Sequence, residues 1–318
     1  MKKNIIFHNP RFEPVSPLAC RCETSLSETG RPVQKLVFIG TLAAVLLSSC
    51  ASHRKLGEAA FEKKSIVDPE VFSRNLQLAE ELASDDVIAW ISTDSILADK
   101  SSRLDSLDQT WFVYKEADRR YAYYGRYAPG EGVYHPKYAF VSTDGATITS
   151  IPAVPPRPEA TGYAWMIHIG SNFFSRIVDS LQLDIHYNHY IRKNSEEKNY
   201  TLWFLPAGYG DYSAQGIEVR ITIDAAAGRV DGYEIRGSLL RYFELDKKSQ
   251  RIELDNTYDD TPTLGNLFFA LRNRDRFYSI KILNKNSVTS LVYSAETGTW
   301  DWIHEPHPIN TPEKLPVH

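Results

Sequence analysis

Cysteine is scarce in this chain: Cys20, Cys22 and Cys50 are the only three in 318 residues. A domain folded from the residues after Cys50 therefore holds no disulfide and no thiolate metal site. Methionine is scarcer still, with Met1 and Met166 alone. No apolar run approaches the ~20 residues that cross a bilayer as a helix. The Gly-x-Ser-x-Gly elbow of serine hydrolases is missing. The glycine-rich stretch at 208–216 has no Lys-Ser or Lys-Thr after it, so it is not a phosphate loop. The formal net charge is -4, and this lack of positive excess argues against a nucleic-acid partner.

What is present begins with LVFIGTLAAVLLSSC, residues 36–50. Its apolar part, 36–47, has the length of a signal-peptide core, with Arg31 and Lys35 as its positive flank. Small residues, Ser48 and Ser49, close the run, and Cys50 follows at once. The order Leu47-Ser48-Ser49-Cys50 resembles the lipobox of bacterial lipoprotein precursors. That resemblance implies cleavage before Cys50, a diacylglycerol on its thiol and an acylated new amino terminus. It covers residues 31–50 and makes Cys50 the expected lipidation site. The diacylglycerol together with the added N-acyl chain exceeds the two signals that stable membrane attachment needs. Cys20 and Cys22 leave with the leader, so Cys20-Arg-Cys22 is not a redox motif. A signal peptide starts a few residues before its core, whereas residues 1–30 carry prolines, charges and two cysteines. Residues 1–32 are therefore expected to be an over-extended gene start, with Val33 as an alternative initiation site, and 33–49 the signal peptide.

Beyond Cys50 the composition is that of a globular protein, 42% hydrophobic and 24% charged over the whole chain. Eighteen Tyr and 14 Phe lean it towards half-buried strand surfaces. Residues 50–65 are polar and read as a tether. Asp68-Pro69-Glu70 is a helix start, and apolar spacing predicts a helix over 69–83. Residues 87–91, VIAWI, read as a strand. Strands are expected over 111–114, 121–127, 138–142 and 146–151, the last two flanking an Asp144-Gly145 turn. Four prolines in 151–159 mark an extended connector. A second helix is expected from Gly170 and a third from Thr261-Pro262. Further strands are expected over 187–192, 200–205, 217–224, 229–236, 239–245, 277–283, 288–294 and 299–303. The 217–236 hairpin resembles the turn of small PepSY-type or cystatin-like modules of secreted bacterial proteins, as a fold hint alone. Residues 304–318, with prolines and no apolar period, read as a disordered tail.

These features predict an α+β fold: two lobes of antiparallel sheet built from hairpins, with about three helices packed on one face. The N-terminal lobe is expected over 66–150, the connector over 151–162 and the C-terminal lobe over 163–303. Candidate sites are few. Asp184, His186 and His189 cluster in sequence, a weak metal or acid–base set, since two His three apart in a strand point to opposite faces. His304, Glu305 and His307 fall in the tail, where no frame preorganises them. Tyr209 and Tyr212 in the glycine-rich loop, with Trp203, are the expected ligand surface. No catalytic constellation, metal site or cofactor is expected. The reading is a membrane-anchored envelope lipoprotein of binding or scaffolding type, whose partner is an envelope protein or a glycan. A hydrolase built on Asp184 and His186, and a carbohydrate-binding module, are the alternatives. Ala51-Ser52 offers no acidic residue after the lipidated Cys, which points to the outer membrane, facing the periplasm or the cell surface.

Overall fold

The computed structural model describes residues 66–99, 110–194, 196–208, 211–237, 239–245 and 250–307. Cys50, the expected leader and the expected tether lie outside the described residues. Helix α1 is Pro69–Ala98. It starts as its sequence dictates: Asp68 Oδ1 accepts from the N–H groups of Glu70 and Val71 at 3.0 and 3.1 Å, and Pro69 occupies the first helical position. It does not stop at Ala83, and no strand forms at 87–91. The alternation of VIAWI also fits a helix, because Leu82, Asp85, Ile88, Ala89, Ser92 and Ile96 share one buried stripe. Burying that stripe outweighs the weak strand preference of Val87, Ile88 and Ile91.

Strands β1 (Thr110–Glu116), β2 (Arg119–Ala128), β3 (Val133–Ser142) and β4 (Thr149–Ile151) follow as an antiparallel sheet in that order. Helix α2, Pro158–Leu181, begins twelve residues before the expected Gly170, so the connector shortens to 152–157. Pro158 and Glu159 are the start signal, and Gly170 serves close packing instead. A Cβ on Gly170 would sit 2.6 Å from Leu202 Cδ2. Strands β5 (Tyr187–Asn194), β6 (Asn199–Pro206), β7 (Tyr212–Gln215), β8 (Glu218–Asp224) and β9 (Arg229–Arg236) come next. They form an antiparallel sheet β5-β6-β8-β9, while β7 pairs with β10 (Arg241–Glu244) as a separate ribbon.

The last sheet contains β11 (Arg251–Asn256), then β12 (Ser279–Asn284), β13 (Ser287–Ser294) and β14 (Thr299–Pro306). Helix α3, Leu264–Asn273, carries the chain from β11 to β12. That crossover makes β11 and β12 parallel, while the other pairs are antiparallel. The expected disordered tail does not begin at His304, because β14 runs through Pro306; residues 308–318 lie outside the described residues. His304 Nδ1 and Thr289 Oγ1 are 2.9 Å apart, and His307 Nε2 donates to the Asn284 carbonyl at 2.9 Å.

The Pro-rich connector does not divide two cores. One buried cluster takes Phe112, Tyr114 and Tyr123 from before it and Ile167, Leu202 and Ile221 from after it. Helix α2 sits between the two four-stranded sheets of residues 110–236, and its Tyr163 ring stacks on Tyr114 at 4.7 Å. Much of the tyrosine excess is spent on this aromatic core. β1 and β5 run side by side, and His189 Nε2 donates across that seam to the Trp111 carbonyl at 2.7 Å. The described residues form the expected α+β fold of antiparallel-rich sheets with three α-helices, of which α2 and α1 lie against opposite sides of β1–β3. The opposite side of β1–β3 packs on the C-terminal half of α1, through Ile88, Ala89 and Ile96. The opposite side of β5 and β6 packs on α3 and the N-terminal half of α1.

Where these layers meet, α1 buries two adjacent carboxylates, Asp85 and Asp86. Asp85 pairs with Arg120 of β2 at 3.0 Å and with Arg192 of β5 at 2.5 Å. Asp86 accepts from the Tyr190 hydroxyl at 2.7 Å and pairs with Arg272 of α3. Removing one partner of a buried pair strands the other charge, at a cost of roughly 3–5 kcal/mol. Asp85→Ala and Asp86→Ala are each expected to lower unfolding stability by about that amount in urea titrations. A loss below ~1 kcal/mol, the range of surface pairs, would contradict this role.

Candidate functional site

Helix α2 covers its side of β5–β9 only as far as Leu181. Gln182 then takes a left-handed conformation, φ 53°, and the chain turns back into β5. Past this point Tyr187 of β5 lies on the same side of the sheet. Tyr187 shares its strand face with His189 and Ile191, and its ring meets Phe174 of α2 edge-on at 4.9 Å. Tyr187 Oη is buried and has no hydrogen-bond partner among the described residues.

The β7–β10 ribbon presents two more rings. Tyr242 lies opposite Ala214 and Glu244 opposite Tyr212, so these four side chains share a face. Tyr212 is 48% exposed and Tyr242 52%. The reverse face is anchored: Phe243 packs on Phe269 and Phe277 at 5.4 and 6.4 Å, and Gln215 Nε2 donates to Asn266 Oδ1 at 2.7 Å. Both exposed rings therefore stand on a fixed backing. Burial, and then the nearby Tyr242 phenol, push the Tyr187 hydroxyl above its ordinary value, so it stays protonated at neutral pH.

Of the residues singled out in the sequence, Tyr212 stands on this face. Trp203 does not: it is 9% exposed and packs with Tyr190 and Leu205 on the opposite side of the sheet. β6 residues alternate faces, and Trp203 takes the face that α1 and α3 cover. Tyr209 lies outside the described residues. Asp184 and His186 are exposed in the link that leads into Tyr187. His189 is turned into the β1–β5 seam, and burial pushes its pKa down to about 4 against the pull of the Trp111 carbonyl. It is a neutral donor there, committed to the backbone. Among the described residues no group of three or more His, Cys, Asp or Glu side chains is arranged to hold a metal.

Comparison with family models, with curated proteins and with solved structures gives no match to this chain. The site is thus read from its own geometry. Sequence reasoning missed Tyr187 and Tyr242. Both fall in expected strands, and only the pairing of 241–244 with 212–215 shows that Tyr242 joins Tyr212.

Behind the ribbon, the start of α3 is held by an unusual acid. Glu218 of β8 is buried, and its Oε2 accepts from the Gly265 N–H in the first turn of α3. A Cβ at Gly265 would meet that carboxylate and force it to shift. Burial raises the Glu218 pKa to about 7, opposed by the Gly265 N–H, Arg236 and the Thr263 hydroxyl. The raised value means that the fold favours the protonated acid. This contribution is full below the ordinary value of 4.5 and is lost as pH rises through about 7. It amounts to on the order of 3 kcal/mol. Glu218→Gln, which keeps an acceptor for Gly265, is expected to retain stability that the wild type loses between pH 5 and 8. Parallel stability–pH curves for the two proteins would contradict the assignment.

Proposed function

We propose that this chain is a lipid-anchored protein of the bacterial envelope that acts by binding. Cys50 carries the lipid, and the face of Tyr187, Tyr212 and Tyr242 receives another envelope component. The anchor rests on the lipobox order Leu47-Ser48-Ser49-Cys50. The attachment is to the outer membrane, by the lack of an acid after Cys50. The binding role rests on one observation: two half-exposed tyrosines share a ribbon face whose reverse is locked onto α3. Rigid aromatic rings give large contact area at small entropic cost, which is why tyrosine dominates many binding surfaces.

Palmitate labelling in cells tests the anchor. The wild type is expected to take up label and to sediment with membranes, and Cys50→Ser to lose the label. Persistence of label in Cys50→Ser, or unlabelled wild type in the soluble fraction, would refute the anchor.

A further inference from the structure

We propose that Glu218 is a pH-operated latch behind the β7–β10 ribbon: as a neutral acid it holds the first turn of α3 at Gly265, and as a carboxylate it lets that turn and β7 loosen while the rest of the fold stays closed. The latch acts on the support of the ribbon, whatever the ribbon binds. Glu218 is the first residue of β8, and its carboxyl reaches across to the Gly265 N–H. The next residue of α3, Asn266, accepts from Gln215 of β7 through its side chain at 2.7 Å. Its backbone N–H donates to the capping Thr263 hydroxyl at 3.3 Å. One carboxyl, one cap and one amide pair therefore tie β8, the start of α3 and the ribbon together.

The groups around Glu218 give its two protonation states different places. Arg236 of β9 lies directly opposite it across the β8–β9 pair and is already shared with Glu234 and Asp259. Thr263 and Tyr258 face it from the link between β11 and α3, Glu234 repels it from β9, and α3 brings no acid in its first turn. Burial outweighs the favourable partners and raises the pKa to about 7, so charging the group in place is costly. A carboxylate escapes that cost by moving towards water and a cation, and Arg236, with a side chain 38% exposed, offers both. The backbone permits a local movement. The ribbon leaves the sheet at Gly216 and Gly237, where φ of Gly237 is 87° and a Cβ on it would lie 2.8 Å from the Gly216 carbonyl oxygen. Bare backbone meets bare backbone at this joint, which suits a hinge. The far end of α3 stays fixed through Arg272 on Asp86.

Hydrogen exchange of the detergent-solubilised full-length protein at pH 6 and pH 8, with intrinsic exchange rates divided out, tests this. An acid that titrates at the ordinary 4.5 when open and at about 7 when latched opens about tenfold more at pH 8 than at pH 6. Protection in 212–218 and 262–268 should therefore fall by about tenfold, while α1 and β1–β3 keep theirs. Glu218→Gln, which cannot ionise, should show no such fall. Gly265→Ala, whose Cβ displaces the carboxyl, should already be open in both segments at pH 6. A fall spread evenly over the whole chain would mean that Glu218 acts on global stability alone and would overturn the latch. So would unchanged protection in the two segments, or an equal fall in wild type and Glu218→Gln. Should Glu218→Gln fail to fold, the regional pattern in the wild type and in Gly265→Ala decides.

Discussion

Everything in this fold hangs on two adjacent carboxylates inside one long helix. Asp85 and Asp86 point from α1 into three different elements. Through Arg120 they hold the sheet that precedes α2, through Arg192 and Tyr190 the sheet that follows it, and through Arg272 the third helix. Ionised groups removed from water are costly unless each finds a partner, so the layers have few alternative arrangements in which both acids stay satisfied. Helix α1 must therefore run on past Ala83 to deliver them. Its extra turns then cover β1–β3 with Ile88, Ala89 and Ile96. The pair thus sets how far α1 extends and how the two sheets meet at the His189–Trp111 seam.

The tyrosine face follows from where the layers end. Helix α2 fills the space between the sheets as far as Leu181 and stops. The ribbon of β7 and β10 extends beyond, fixed from behind by Phe243 and Gln215 against α3. Glu218 and Gly265 fix the start of α3, and Asp86 holds Arg272 near its end. The exposed rings are accordingly supported by a helix that is clamped at both ends. Such a supporting shell is what the proposed binding role requires.

The sequence was informative where the cause was local. Asp68-Pro69 announced α1, and the alternation of 217–224 announced β8, because caps and period-two burial are short-range effects. It misled where a distant contact decided. VIAWI at 87–91 reads as a strand until Tyr124 and Phe140 supply the surface that its helical form covers. Gly170 reads as a helix start until Leu202 is placed against it. Strands β7 and β11 are short and carry charged or small residues, so their pairing partners define them more than their own composition does. For the site, Tyr212 was legible as a loop aromatic. Trp203 was assigned to the wrong side, and Tyr242 was invisible without the ribbon's register. The lipobox resemblance at residues 47–50 rests on residue order alone and falls outside the described residues.

Hydrogen exchange followed by mass spectrometry, on the wild type and on an Asp85→Asn/Asp86→Asn double variant, tests the organising role of the buried acids most directly. Neutral amides cannot hold three arginines, so amide protection should fall together in α1, β2, β5 and α3. Loss of protection confined to α1, with the sheets and α3 as slow as in the wild type, would contradict this account.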